Sequence, residues 1–160
     1  MLFWYAAGSV FAVWNVFQSA GLDFRAVAVG SLLPLAIDIP SAHQAYGHAL
    51  LAPVAALLVV MLFTSGRGRR LLRRKVIGLP IGWFCGLALS GAFASQRVFW
   101  WPGFGRSFGH VALLPAVPVI VLEELLGIVA AVWIWNRFGL RDPSRRRALV
   151  RRGRLALVRT

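Results

Sequence analysis

The stretch VALLPAVPVIVLEELLGIVAAVWIW (residues 111–135) is the longest apolar run in this chain of 160 residues. A helix needs about 20 apolar residues to cross the roughly 30 Å hydrocarbon core of a bilayer. This run meets that length, and a basic segment that begins at Arg137 follows it almost directly. It therefore predicts a membrane-spanning helix with positive charge at its end.

Four further apolar segments precede this run. They cover residues 2–18, 24–39, 49–64 and 76–94. The fourth is long enough to cross a bilayer, the second and third are short, and the first either crosses or lies at the interface. Because 59% of the residues are hydrophobic and 14% are charged, the composition is that of a membrane protein and not of an ordinary soluble domain. We predict an all-α fold, a polytopic transmembrane helical bundle with four or five spans.

The positive charge is concentrated in two places. The chain has 18 Lys and Arg against 5 Asp and Glu, a net charge of +13. Six of the basic residues lie in 67–75 and nine in 137–159. Each cluster follows an apolar span, which is typical of cytoplasmic loops that contact anionic lipids. We therefore expect membrane lipids as partners, with anionic headgroups at the basic loop and tail, and no nucleic acid.

The same charge pattern predicts the topology. Residues 1–136 form a transmembrane helical domain and residues 137–160 a basic cytoplasmic tail. Residues 39–48 and 95–110 then lie together on the outer face. The tail is either a basic amphipathic segment on the cytoplasmic leaflet or a solvated, partly disordered extension.

Three candidate metal ligands lie in AIDIPSAHQAYGHALL (residues 36–51): Asp38, His43 and His48. Carboxylate and imidazole are standard ligands of zinc and similar divalent ions. On a continuous helix a spacing of five residues leaves side chains about 140° apart. Only a broken connection brings all three together. The alternative is that these polar side chains cap two helices at the membrane surface.

Two adjacent acidic residues, Glu123 and Glu124, lie inside the longest apolar run. Acidic groups at such positions usually face the interior of the bundle. They are candidate catalytic groups, or the ion site of a small transporter. The alternative is that one of them pairs with an arginine, or stays protonated, and holds helices together.

An aromatic segment, RVFWWPGFGRSFGH, occupies residues 97–110. Trp100 and Trp101 are typical of an aromatic belt at a membrane interface. Arg97 and Arg106 are placed to contact phosphate headgroups. We therefore expect this segment to contact lipid or a partner protein.

Several motifs occur in a familiar order along the chain. They are GSLLPLAIDIP, GHALL, LPIGWFCGLALSGAF, FWWPGFG, a final span that bears glutamates, and RRGRL. Together they resemble actinobacterial members of the membrane-bound metal-dependent hydrolase family (YdjM-like or DUF457-like). The resemblance covers nearly the whole chain and depends on the order of the motifs. It implies that the chain lies in a bacterial cytoplasmic (inner) membrane, with its C-terminus cytoplasmic.

The resemblance implies a ligand pattern similar to that of zinc-dependent phospholipase C. Asp38, His43 and His48 match three of its positions. Three other positions where the family pattern has an Asp, a His and an Asp hold residues that are not comparable ligands: Leu35, Gly86 and Ser90. The implied cofactor is therefore either none or one zinc-like divalent metal.

The first hypothesis is a membrane protein with a degenerate metal site and a structural or partner-binding role, leaning away from an enzyme. Its partner is a membrane protein or a second copy of the chain. The alternative is a zinc-dependent membrane hydrolase that acts on a phospholipid or another phosphoester using Asp38, His43 and His48. A transporter has less support because the sequence has no internal repeat.

Overall fold

The computed structural model describes residues 1–18, 21–66, 68–104, 108, 111–153 and 155. Within these residues the chain forms α-helices and short 3₁₀ turns. The helices are α1 (Leu2–Phe17), α2 (Phe24–Asp38), α3 (Leu51–Thr64), α4 (Arg70–Val76), α5 (Gly78–Leu89), α6 (Gln96–Phe99), α7 (Val117–Arg137) and α8 (Pro143–Arg152). The predicted all-α fold is confirmed.

Helix α1 packs lengthwise along α7, and the two helices run in the same direction. The ring of Phe11 meets that of Trp133 at 4.9 Å, and the ring of Trp14 meets that of Phe138 at 4.7 Å. Both pairs are edge-to-face, the arrangement that aromatic quadrupoles favour. The first apolar segment is therefore a member of the bundle.

Helices α2 and α5 also run in parallel, and glycines bring their backbones into close contact. A Cβ on Gly82 would lie 2.0 Å from the carbonyl oxygen of Val27, and one on Gly86 would lie 2.4 Å from that of Ser31. Small residues at helical spacing permit this approach in membrane helices. Gly82 and Gly86 therefore lie on the face of α5 that packs against α2.

The fourth apolar segment is shorter as a helix than its composition suggests. Its helix α5 has 12 residues, about 18 Å at 1.5 Å per residue. Pro80 has no N–H to donate to the carbonyl of Val76, so the helix is interrupted between α4 and α5. Helix α5 ends at Leu89, and Gly91 then turns the chain with a φ of 67°.

The buried core lies where the end of α1, the start of α2 and the end of α7 meet. It includes Val13, Phe24, Val27, Phe138 and Leu155. The backbone N–H of Phe24 donates to the carbonyl of Gly153 at 2.9 Å. The segment after α7 therefore folds back onto the bundle, and its described part contains the helix α8.

Among the described residues, two helical segments are long and apolar enough to cross a membrane. They are Phe24–Ser41, with 18 residues, and Val117–Arg137, with 21. The second segment of the sequence thus meets the length criterion because a 3₁₀ turn extends α2. Helices α1 and α3 are apolar but shorter.

Candidate functional site

The candidate site begins where α2 ends. Asp38 is the last residue of α2, and the 3₁₀ turn Ile39–Ser41 follows it. Pro40 fits this first turn because it needs no hydrogen-bonded N–H there. Ala42 then adopts a φ of 56° and reverses the chain. Asp38 is thereby placed beside a loop that returns toward α3.

The carboxylate of Asp38 is buried and fully engaged by that loop. Its Oδ2 accepts from the backbone N–H of Ala45 at 2.7 Å, and its Oδ1 accepts from that of Gly47 at 2.8 Å. The side chain of His48 lies 2.7 Å away, from Nδ1 to Oδ2. Asp38 and His48 are 1% and 2% exposed. Charge-assisted bonds of this kind are stronger than neutral ones.

The contact between Asp38 and His48 fixes the orientation of both side chains. With Nδ1 facing a carboxylate, the neutral imidazole of His48 carries its proton on Nδ1 and presents Nε2 as an acceptor. Aspartate orients histidines in this way both in structural pairs and around metal ions. The pair is therefore a buried hydrogen-bonded unit with a defined ring orientation.

Gly47 is held tightly inside the same unit. A Cβ at this position would lie 2.5 Å from the carbonyl oxygen of Pro34 and 2.9 Å from Oδ1 of Asp38. The indole Nε1 of Trp83, on α5, donates to the carbonyl of Gly47 at 2.9 Å. The loop is thus fastened to α2 by Asp38 and to α5 by Trp83.

His43 lies in the same loop but makes different contacts. Its ring Nδ1 donates to the carbonyl of Ser41 at 2.5 Å. Its backbone forms an isolated antiparallel bridge with Ala112, and the N–H of Gln44 donates to the carbonyl of Val111 at 2.9 Å. The contacts of Asp38 and His48 join those two residues, whereas His43 bonds to its own turn.

Across the described ranges, no three His, Cys, Asp or Glu side chains are grouped as a metal site. Zinc binding by Asp38, His43 and His48 therefore stays a prediction. Both carboxylate oxygens of Asp38, which would be metal ligands, already accept hydrogen bonds from the backbone. A cavity of about 500 Å³ lies beside the turn, and its walls include Leu35, Ile39 and Leu113. These walls are apolar.

The aromatic segment meets the same loop. The ring of Tyr46 contacts those of Trp101 at 5.3 Å and Phe108 at 4.6 Å. The N–H of Leu50 donates to the carbonyl of Phe99 at 2.9 Å. The two loops predicted to share one face are therefore in direct contact.

The residues proposed for lipid or partner contact are distributed along this segment. Arg97 lies in α6, and Trp100, which caps the end of α6, is exposed. Trp101 is half-buried in the aromatic cluster. Arg106 lies outside the described residues.

The two glutamates lie one to two turns inside α7. An oxygen of Glu124 contacts the amino group of Met1, and the other accepts from the backbone N–H of Phe3 at 3.1 Å. A carboxylate stabilises a helix N-terminus, where N–H groups lack partners within the helix. Oε2 of Glu123 is buried and has no hydrogen-bond partner among the described residues. Glu124 thus forms its ion pair with the amino group of Met1.

Residue types alone do not reveal three members of the site: Trp83 and the backbone N–H groups of Ala45 and Gly47. Trp83 lies within the motif LPIGWFCGLALSGAF, and only its contact with the Gly47 carbonyl reveals its part in fastening the loop. The backbone donors of Ala45 and Gly47 leave no signal in residue type. The nearest signal was the glycine directly before His48.

No protein-family model, curated protein or solved structure matches the chain.

Proposed function

We propose that this chain is a polytopic membrane protein with a structural or partner-binding role, in which Asp38 and His48 hold the outer loops together and catalyse nothing. One observation carries the proposal: both oxygens of the buried Asp38 carboxylate are engaged by the protein itself. Ala45, Gly47 and His48 supply the donors. A carboxylate committed in this way is suited to fixing a loop.

The apolar surface supports a membrane location. Large hydrophobic side chains are widely exposed on three helices, including Val16 at 75%, Leu62 at 76% and Val117 at 71%. A soluble monomer rarely exposes a contiguous apolar surface of this extent. In lipid, exposure of these side chains avoids the unfavourable free energy of contact between apolar surface and water.

A bundle of four or five spans is compatible with the helix directions. Helices α1, α3 and α7 run one way and α2 and α5 the other, which places the basic α4 and α8 at one end. The positive-inside rule makes that end cytoplasmic. Helix α3 has 14 residues, about 21 Å, so the bilayer thins locally around the shorter helices.

The partner surface is the aromatic cluster beside Asp38. Tyr46 and Trp100 are exposed there, next to Trp101 and Phe108. Exposed aromatic side chains are enriched in interfaces and in membrane belts. A membrane protein or a second copy of the chain is the partner that this surface suits.

A second candidate is the zinc-dependent hydrolase acting on a phospholipid or another phosphoester. The orientation of His48 favours it, because an imidazole that bonds a carboxylate through Nδ1 presents Nε2 to a metal. In that function Asp38 orients His48, and His43 must turn away from Ser41. A bound zinc ion would supply an activated water.

Metal analysis separates the two functions. We expect protein purified in detergent without chelator to contain much less than one zinc per chain. About one zinc per chain that is lost in a His43→Ala/His48→Ala variant would overturn the non-catalytic proposal.

Cysteine labelling tests the topology in cells. In a Cys85→Ala background, a membrane-impermeant reagent should label Gln96→Cys from outside and Ser144→Cys only after permeabilisation. Both parent residues are exposed. Labelling of both from the same side would contradict the proposed topology.

A further inference from the structure

A basic pocket lies at the end of the bundle formed by α4 and α8. Its volume is about 290 Å³, and its walls include Leu71, Arg74 and Lys75 of α4, Arg151 of α8, and Asp23. Residues far apart in the sequence thus supply three cations to one concave surface. Helix α8 reaches this place because the carbonyl of Gly153 bonds Phe24 at the start of α2.

The carboxylate in the pocket is already committed to another partner. The guanidinium of Arg25 donates from Nε to Oδ1 of Asp23 at 3.2 Å and from Nη2 to Oδ2 at 2.9 Å. Burial raises the pKa of Asp23. The bonds from Arg25, including its backbone N–H, lower the pKa by more than burial raises it, so the net pKa is below the usual range. Asp23 is therefore ionised and offset by Arg25.

The other acidic residues are placed elsewhere. The chain has five Asp and Glu in total. Asp38 bonds His48, and Glu124 bonds the start of α1. Asp142 accepts from the N–H of Ser144 at 2.8 Å, which lowers its pKa. Asp38, Asp142, Glu123 and Glu124 all lie outside the pocket lining. Among the described residues, Arg74, Lys75 and Arg151 therefore share the pocket with one carboxylate, that of Asp23, which is already paired with Arg25.

The surroundings indicate the source of that charge. Leu71 lies beside the cations and is exposed, as is Leu72. A short helix that exposes both leucines and basic residues is suited to lie in the membrane interface, where the leucines contact acyl chains and the basic residues contact headgroups. Arginine and lysine are the side chains that bind phosphate most often, and arginine can do so through two parallel bonds.

We propose that this pocket binds the phosphate of an anionic phospholipid of the cytoplasmic leaflet. This site extends the proposed function and rests on the proposed membrane topology, in which α4 and α8 lie at the cytoplasmic end. Arg74, Lys75 and Arg151 supply the charge, and Leu71 borders the glycerol and upper acyl region. The pocket binds one headgroup at a defined place, in contrast to diffuse attraction along the basic tail.

Native mass spectrometry of the full chain tests the site. The probe is phosphatidylglycerol added to protein in a zwitterionic detergent, with phosphatidylcholine as the neutral comparison. An Arg74→Gln/Lys75→Gln/Arg151→Gln variant should bind phosphatidylglycerol at least about tenfold more weakly, since each basic residue near a lipid surface contributes measurably. Phosphatidylcholine binding should not change.

A matched variant removes the same charge from exposed arginines outside the pocket: Arg70→Gln/Arg141→Gln/Arg146→Gln. Its phosphatidylglycerol affinity should stay within about twofold of wild type by the same electrostatic reasoning. Equal losses in both variants would overturn the pocket in favour of diffuse attraction. No loss in the first variant would overturn it as well.

Two further arms keep the result interpretable. Inorganic phosphate that displaces the lipid at equal concentration would overturn the lipid as the ligand. Arg151→Gln alone leaves α4 intact, and it should weaken binding severalfold if the triple variant does not fold. Reversed labelling of Gln96→Cys and Ser144→Cys would overturn the membrane orientation, whereas lipid binding in detergent tests the pocket independently.

Discussion

Replacing Asp38 by alanine should destabilise the chain strongly. The substitution leaves the N–H groups of Ala45 and Gly47 and the ring of His48 without their acceptor. A buried donor without a partner costs about 1–3 kcal/mol. Removal of the buried charge offsets part of that sum, so the free energy of unfolding should fall by about 3–5 kcal/mol.

Asp38→Asn provides a graded comparison. Its remaining carbonyl oxygen can accept from Gly47, and His48 can change tautomer to accept from the new amide. Only the N–H of Ala45 then lacks an acceptor, which costs about 1–2 kcal/mol. Asp38→Asn should therefore be less destabilising than Asp38→Ala.

His43→Ala is the matched control in the same loop. Its side chain is half-buried and bonds the carbonyl of Ser41, so its loss should cost about 1 kcal/mol or less. Unfolding in mixed micelles can be followed by helical circular dichroism and by tryptophan fluorescence, because Trp83 bonds the loop directly. A His43→Ala cost equal to that of Asp38→Ala, or stabilisation of wild type by added zinc, would refute the reasoning.

Three further outcomes follow from the packing. Gly82→Ala should destabilise the bundle by about 2 kcal/mol or more, because the new Cβ meets the Val27 carbonyl at 2.0 Å, whereas Gly66→Ala should stay within about 0.5 kcal/mol in the same unfolding assay. Gly153→Ala should release the end of the chain to protease, because φ is +63° and a Cβ would overlap the Asp23 carboxylate; unchanged protection would contradict that account. Since the pKa of Asp23 lies below its usual value, the stability that it contributes should be present above about pH 4 and should fall as pH drops through the folded-state pKa, measured by fluorescence of a probe on α8.

The sequence predicted the apolar helices well, because their composition depends on burial in protein or lipid and not on detailed packing. It predicted their lengths less well. The run 76–94 contains enough apolar residues for one span, yet Pro80 removes a hydrogen bond and α5 has 12 residues. A 3₁₀ turn after Asp38 had the opposite effect on the second segment, and such a turn depends on loop contacts that composition does not encode.

The candidate site was predicted in part for a similar reason. Residue types identified Asp38 and His48, and the structure brings these two together. The partners of the carboxylate are mostly backbone N–H groups, and any residue except proline supplies those. A carboxylate near two histidines therefore suggests a metal site from sequence alone, although the same carboxylate can equally accept hydrogen bonds from the backbone N–H groups of a turn.

The close packing of α2 and α5 bears on the ligand pattern that the resemblance predicts. Where the resemblance implies a histidine, Gly86 lies so close to α2 that a Cβ would be 2.4 Å from the carbonyl of Ser31. An imidazole at this position would force the two helices apart. Where it implies an aspartate, Leu35 lines an apolar cavity, in which an unpaired carboxylate would be costly. Gly86 and Leu35 thus favour helix contact and apolar burial. The buried N–H groups of the loop need the Asp38 carboxylate as an acceptor whether or not a metal binds.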